Sequence, residues 1–301
     1  MNQITTVQNT PKQLERLAAQ RELYSSAKRL FTLQIIGNAF IPLTLSLVST
    51  FHRSLSVYVA IYGICFFIID SILIEPAIKK RKTKGAKIQE MFDSDVLQLN
   101  KSPFKTVEDV TVEEVLTHYN AHRKIESNIE KIKNWYNANL DALDISVARL
   151  ICQRINYSWE CGLRSAYSNL LKIINVLLPL VVFLTSLFAN LSIEQTALIG
   201  GGLLPLFRFL TKQYQENKEA SEKLTKLNNY FNKLWERLLK EEVDKKEMEK
   251  AARRIQDEIY DNRIKSPLIP DSFYRLYRPK EETLMTKTAN TLAAELIESR
   301  T

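Results

Sequence analysis

The 301-residue chain has only 7 glycines, 9 prolines, 3 cysteines and 3 histidines. So few turn formers exclude a β-rich fold and leave a largely helical one. Cys65, Cys152 and Cys161 match no metal-ligand spacing and do not make a disulfide framework. Three histidines leave little for acid–base chemistry, and the chain has no P-loop, no Gly-rich dinucleotide fingerprint and no GxSxG, so it does not read as an enzyme. His118 and His122 stand four apart, but with no third ligand and no HExxH they read as a solvated helix face. No cleavable signal peptide is expected, because the first 30 residues are polar.

What the chain does have is long apolar runs. Residues 31–51 and 54–74 are separated only by His52 and Arg53, and residues 169–189 and 191–210 turn around Asn190. About 20 helical residues at 1.5 Å each cover the roughly 30 Å hydrocarbon core, so each run can span a bilayer. The expected fold is an all-α integral membrane protein with four transmembrane helices in two hairpins and a cytosolic helical bundle.

Charge sets the expected orientation. Net charge is +8, and Lys79, Lys80, Arg81, Lys82, Lys84 and Lys87 crowd the end of the second run, with Lys28 and Arg29 before the first and Arg208 and Lys212 at the end of the fourth. The positive-inside bias then places both termini and the central region in the cytoplasm, with the basic run serving topology and anionic lipid rather than DNA or RNA. The expected organisation is an N-terminal cytosolic amphipathic helix (1–30), a first hairpin (31–74), a central cytosolic helical region (75–168), a second hairpin (169–210) and a C-terminal cytosolic helical region (211–301).

The second hairpin reads as a copy of the first. Leu33-Gln-Ile-Ile-Gly-Asn38 with Pro42-Leu43 aligns with Leu171-Lys-Ile-Ile-Asn175 with Pro179-Leu180. The repeats would be parallel, related by an axis along the membrane normal. Gln34, Asn38 and Ser46 in one copy, and Lys172, Asn175 and Ser186 in the other, form polar stripes. Such groups face helices or water rather than lipid, so they are candidates to line a pore or, equally, to bind helices together. Gly200, Gly201 and Gly202 with Pro205 make the fourth run a hinge or a close-packing site. Asp70 and Glu75 are expected to pair with the lysines that follow them.

Outside the runs, residues 1–10 read as loose, with Thr10 and Pro11 starting a helix. Residues 96–99 read as strand or loop, and Pro103 and Thr106 mark a break. Thr111-Val-Glu-Glu114 has capping-box spacing for a helix carrying a stripe of Ile125, Ile129, Ile132 and Tyr136. A helix over 141–167 carries Gln153, Arg154, Asn156, Trp159, Arg164 and Tyr167, a mixture that suits a phosphate-bearing or nucleobase ligand, or else helix packing beneath the membrane. Leu224, Leu227, Phe231, Leu234 and Leu238 form a short coiled-coil-like seam. A proline-punctuated loop then presents Arg263, Tyr274, Arg275, Tyr277 and Arg278, before a terminal helix over 281–299.

The two hairpins, the Gln153-Arg154-x-Asn156-x-x-Trp159 and Arg164-x-x-Tyr167 cluster, and Arg263-x-x-x-Pro267-x-x-Pro270-Asp271-x-x-Tyr274-Arg275 resemble the S-4TM family, four-span effectors related to the SLATT effectors. The resemblance covers most of the chain. It implies a pore-forming effector of cyclic-oligonucleotide-based anti-phage signalling (CBASS) in the bacterial inner membrane. A cyclic nucleotide from a partner nucleotidyltransferase would be its activating ligand, and a homo-oligomer its working form. With that ligand in view, Arg154, Trp159, Arg164, Arg263, Tyr274 and Arg275 are the expected cytosolic site. The alternatives are a small transporter or constitutive ion channel, and a non-conducting scaffold for a cytosolic partner.

Overall fold

The computed structural model describes residues 2–103, 110–125, 127–136 and 140–299; Thr106, one of the residues expected to mark a break, lies outside them. Among the described residues every regular element is helical. The first leg runs through α1 (Ile4–Val7), α2 (Pro11–Ile35), a π-helical turn (Ile36–Phe40) and α3 (Ile41–Phe51). After a short 3-10 turn (Arg53–Leu55), the chain returns through α4 (Ser56–Ile69), a second π turn (Asp70–Ile74) and α5 (Glu75–Val96). Then follow α6 (Val112–His122), α7 (Ser127–Glu130), α8 (Ile145–Phe188), α9 (Ile193–Gly202), α10 (Leu204–Leu239), α11 (Lys245–Lys265) and α12 (Asp271–Glu298).

The two π turns share a cause. Each ends two residues before a proline, Pro42 in one leg and Pro76 in the other. Proline offers no N–H to the carbonyl four residues earlier, and its ring crowds that carbonyl. The carbonyls concerned belong to Asn38 and Ile72, at the centre of each π turn, where the helix widens to relieve them. Pro179 lies inside α8 without such a turn.

Three helical runs, Pro11–Ser49, Val57–Val96 and Ile145–Phe188, are long and apolar enough to cross a membrane. Leu47, Ile64, Phe183 and Phe188 project outward from them. An apolar surface that wide is not left to water, so lipid covers it. The expected fourth span differs: it is split at Leu203, between α9 and α10. A Cβ at Gly202 would lie 2.7 Å from Val59 Cγ1 and 3.1 Å from Ser46 Oγ, so this glycine lets α9 lie close against α3 and α4, whereas Gly200 and Gly201 face open space. The close-packing role expected of these glycines falls to Gly202.

Below the spans, α8 and α10 pack along one another, α2 packs on α5 and α6, and α11 and α12 pack on α8. Phe92, Leu150, Ile151, Tyr157, Phe231 and Ile255 centre the core. The whole Leu224–Leu238 seam lies in that core, so it is satisfied within the chain.

Several expectations are corrected. Residues 2–10 are packed, not loose: Ile4 and Gln8 are buried, and Asn2 Nδ2 donates to the carbonyls of Leu140 and Leu143. Residues 96–99 are the end of α5 and its turn. Thr111 caps α6 by accepting from Glu114 N at 3.3 Å, as expected, but α6 stops at His122. The stripe is then recruited without a continuous helix. Ile132 and Tyr136 are buried while Ile125 is exposed, because Gln8 grips the Tyr136 backbone, accepting from its N–H at 2.8 Å and donating to its carbonyl at 3.3 Å. Finally, the loop expected around 263–278 is only the linker 266–270, and Tyr274 and Arg275 already lie on α12.

Candidate functional site

Of the six residues expected to bind ligand, the structure gathers three at the junction where α8 leaves the membrane. Trp159 meets Tyr274 edge-on at 5.1 Å between ring centres, and Tyr167 packs beside Phe273 at 5.0 Å. Lys28 of α2 lies over the Tyr274 ring at 5.1 Å. Arg164 is buried and donates from Nη1 to Asn217 Oδ1 at 2.8 Å and to the Pro267 carbonyl at 3.1 Å, while Nε and Nη2 hold Glu160 at 2.8 and 2.6 Å.

The neighbouring carbonyl is held by a residue the sequence reading did not single out. Lys82 of α5, 8% exposed, donates to the Ser266 carbonyl at 2.6 Å. Arg164 and Lys82 therefore grip consecutive carbonyls of the linker that joins α11 to α12. Burial, and then the charge of Arg164, lower the Lys82 ammonium to about 8. Two cations thus converge on one strap of backbone, and one of them, Arg164, is already paired with the Glu160 carboxylate.

Of the other three expected residues, Arg154 and Arg263 lie apart, and Arg275 follows Tyr274 on α12. Arg154 turns toward α10, its guanidinium 5.5 Å from the Tyr157 ring centre and 5.6 Å from that of Phe231. Arg275 is exposed on α12. Arg263 is sealed in the core, its Nη1 2.6 Å from Asp93 Oδ2. Burial alone would lower its pKa, but the Asp93 carboxylate overrides that and holds it above the ordinary arginine value. Tyr136 Oη and Gln256 Nε2 also donate to Asp93, at 2.7 and 3.0 Å, and Gln256 and Arg253 hold Glu90 at 2.8 and 2.7 Å. This network bonds α5 to α11 and reads as structure.

In the membrane part, Gln34 Nε2 and Asn38 Nδ2 donate to the two oxygens of Asp70 at 2.8 and 2.9 Å. Asp70 thus pairs across the hairpin rather than with the lysines after it, and Glu75 pairs with Lys212 of α10. Ser46 and Ser186 are buried among helices, and Lys172 is exposed. Asn175 Nδ2 donates to the Leu171 carbonyl at 2.8 Å, as Asn38 does to that of Gln34 at 3.1 Å, and Asn175 Oδ1 accepts from Thr211 at 2.9 Å.

The signals for the missed residues were present. Lys82 falls four residues after Ile78 and four before Ala86, on the buried face of α5. Folding the first hairpin about His52 and Arg53 sets residue 70 opposite residue 35, between Gln34 and Asn38.

Comparison with known proteins gives one consistent picture. The family model described as the SMODS-associating 4TM effector domain matches residues 2–292. A Bacillus cereus (strain VD146) protein described as a probable CBASS effector molecule is 29% identical over 288 residues, 92% of this chain and 94% of that protein. No solved structure matches.

Proposed function

We propose the following for this chain, which belongs to the SMODS-associating 4TM effector family: it is a membrane effector of CBASS anti-phage defence, switched on by a cyclic nucleotide from a partner nucleotidyltransferase. Once active, it breaches the bacterial inner membrane, and the infected cell stops before phage is released. The family match over residues 2–292 and the probable CBASS effector among its relatives support the defence role. Pore formation, nucleotide activation and a homo-oligomeric pore are the further steps of the proposal.

The observation that carries the switching mechanism is the strap at 266–270, held by Arg164 and Lys82 beside the Trp159–Tyr274 pair. A nucleotide phosphate offers Lys82 a charged partner in place of a neutral carbonyl, and offers Arg164 Nη1 one beside the Glu160 carboxylate it already holds; charge-assisted bonds are the stronger. Trp159 and Tyr274 offer faces for a base, and Arg275, exposed one residue on, a further phosphate contact. Releasing the strap frees the start of α12 from α8. Because α8 and α10 run from this junction into the membrane, the release reaches the spans as a change of tilt. To move the population from 1:99 to 99:1, the ligand must favour the open state by about 5.5 kcal/mol.

In this reading α9 and the first turns of α10 make the fourth span, both termini are cytoplasmic, and the polar positions Gln34, Asn38, Ser46, Lys172, Asn175 and Ser186 line or flank the opening between copies. Dye release from liposomes containing the purified chain, with a panel of cyclic di- and trinucleotides, tests it. Release with one nucleotide only is the expected result. No release with any of them, from folded and inserted protein, overturns the effector mechanism.

A further inference from the structure

We infer that the cleft between α10 and α11 is a binding site for a linear aliphatic diamine. The cleft has a volume of about 320 Å³, and four carboxylates against two lysines give its lining a net charge of −2. Both lysines are already engaged: Lys223 lies 2.7 Å from Glu219 Oε1, and Lys265 lies 3.6 Å from Asp261 Oδ2. The other two carboxylates, Glu216 of α10 and Glu258 of α11, make no ion pair among the described residues. One carboxylate on each helix is therefore left for a ligand.

A buried hydroxyl points to the same place. Ser266 lines the cleft at 3% exposure, and its Oγ has no hydrogen-bond partner among the described residues. Leaving a buried polar atom unpartnered costs free energy, and an ammonium N–H in the cleft would recover it, because a hydroxyl oxygen accepts. Burial, opposed by the charge of Lys212, raises the Glu216 carboxyl above its ordinary value. A cation beside it would act in the opposite direction.

The rest of the lining decides the class of cation. Ala220, Leu224 and Leu227 recur at spacings of four and three along α10 and form an apolar strip that methylene groups can cover. No three acidic, histidine or cysteine side chains among the described residues are gathered to hold a metal ion. A diamine instead carries an ammonium at each end of an apolar chain, as the lysine side chain does at one end. Its two charges also balance the lining. Ser266 gives its carbonyl to Lys82, so the cleft adjoins the linker at 266–270.

The test needs neither nucleotide nor pore, so its failure is separable from failure of the effector mechanism. The full chain, in nanodiscs of phosphatidylcholine so that the lipid offers amines no net charge, is titrated calorimetrically with 1,4-diaminobutane. Butylammonium, which has the chain and one charge, and magnesium, which has two charges and no chain, are the comparisons. The expected result is one saturable diamine site per chain, with both comparisons at least about tenfold weaker. Glu216→Gln with Glu258→Gln should weaken the diamine by about tenfold or more, whereas Glu241→Gln with Glu242→Gln, exposed at the far end of α10, should leave it unchanged. Absence of a saturable site overturns the inference. Equal binding of magnesium or butylammonium does so as well, as does an equal loss in the two double variants, which is a general charge effect. If the Glu216 and Glu258 double variant melts below wild type, Glu258→Gln alone, at an exposed position, decides: unchanged diamine affinity counts against the site.

Discussion

Arg263 is the residue at which the sequence and the structure give opposing readings, and replacing it with alanine separates them. The motif places it among ligand residues, whereas its guanidinium sits 2.6 Å from Asp93, with side-chain exposures of 6% and 0%. Arg263→Ala leaves the Asp93 carboxylate buried with only the neutral donors Tyr136 and Gln256. Breaking a buried pair from one side costs about 3–5 kcal/mol, because the remaining charge keeps its desolvation penalty. At about 2 °C per kcal/mol for a chain of this size, the melt should fall by roughly 6–10 °C. The assay is a thermal melt of the full chain in nanodiscs, paired with cyclic-nucleotide binding well below the melting range. Binding should survive in the cold, and Asp93→Asn added to Arg263→Ala should recover part of the loss. An Arg263→Ala protein that melts with wild type yet no longer binds nucleotide would refute the reasoning and make Arg263 a ligand contact.

Lys82→Met should alter the pH profile of stability. The folded state holds this ammonium at about 8 against an ordinary 10.5, so between those values the unfolded chain binds more protons and stability rises with pH, by about 3 kcal/mol in full. The difference between wild type and Lys82→Met in denaturant midpoints should therefore change across pH 8 to 10 and be constant below it. Trp159→Ala should remove the nucleotide-triggered dye release while lowering the melt only slightly, since an edge-on aromatic pair contributes about 0.5–1.5 kcal/mol beyond area burial; unchanged release would take Trp159 out of the site. Gly202→Val should cost about 1–3 kcal/mol by overpacking against Val59 and Ser46, whereas Gly201→Val should be near neutral, read as a difference in melting temperature between the two variants.

The apolar runs and the Leu224–Leu238 seam were legible because periodicity and length are local properties of the chain. The helical class follows from them. The end of α6 at His122, whose carbonyl accepts from Asn128, was not legible, and neither was the hold on the Tyr136 backbone by Gln8, more than a hundred residues away. The same non-local contact orders the polar N-terminus. The candidate site was half legible. Trp159, Arg164 and Tyr274 carry an aromatic and basic pattern that any reading would single out. Lys82 hides within a basic run whose other members answer to membrane orientation, and only its place on the buried face of α5 distinguishes it. The split at Leu203 was foreshadowed by three glycines and Pro205, but which glycine is packed depends on Val59 of another helix.

The chain's mechanics follow from which helices run from the apolar segments into the buried core. The first leg enters the hairpin from α2, the return leg leaves it as α5, and α8 and α10 carry the second pair of apolar segments into the same helical core. A helix transmits a tilt along its length only if it is not broken on the way. α8 is continuous from Ile145 to Phe188, so a displacement at Arg164 reaches Pro179 without a joint. The first hairpin has a π turn in each leg, where Asp70 cross-links them through Gln34 and Asn38. α10 has its break at Leu203, one residue before it starts. Movement from the linker at 266–270 therefore arrives stiffly through α8 and finds compliance at Leu203 and at the paired π turns. If so, a cyclic nucleotide that frees α12 should raise amide hydrogen exchange at α9 and around residues 36–40 and 70–74, while α8 stays protected; exchange that rises first in the middle of α8 would place the joint there instead.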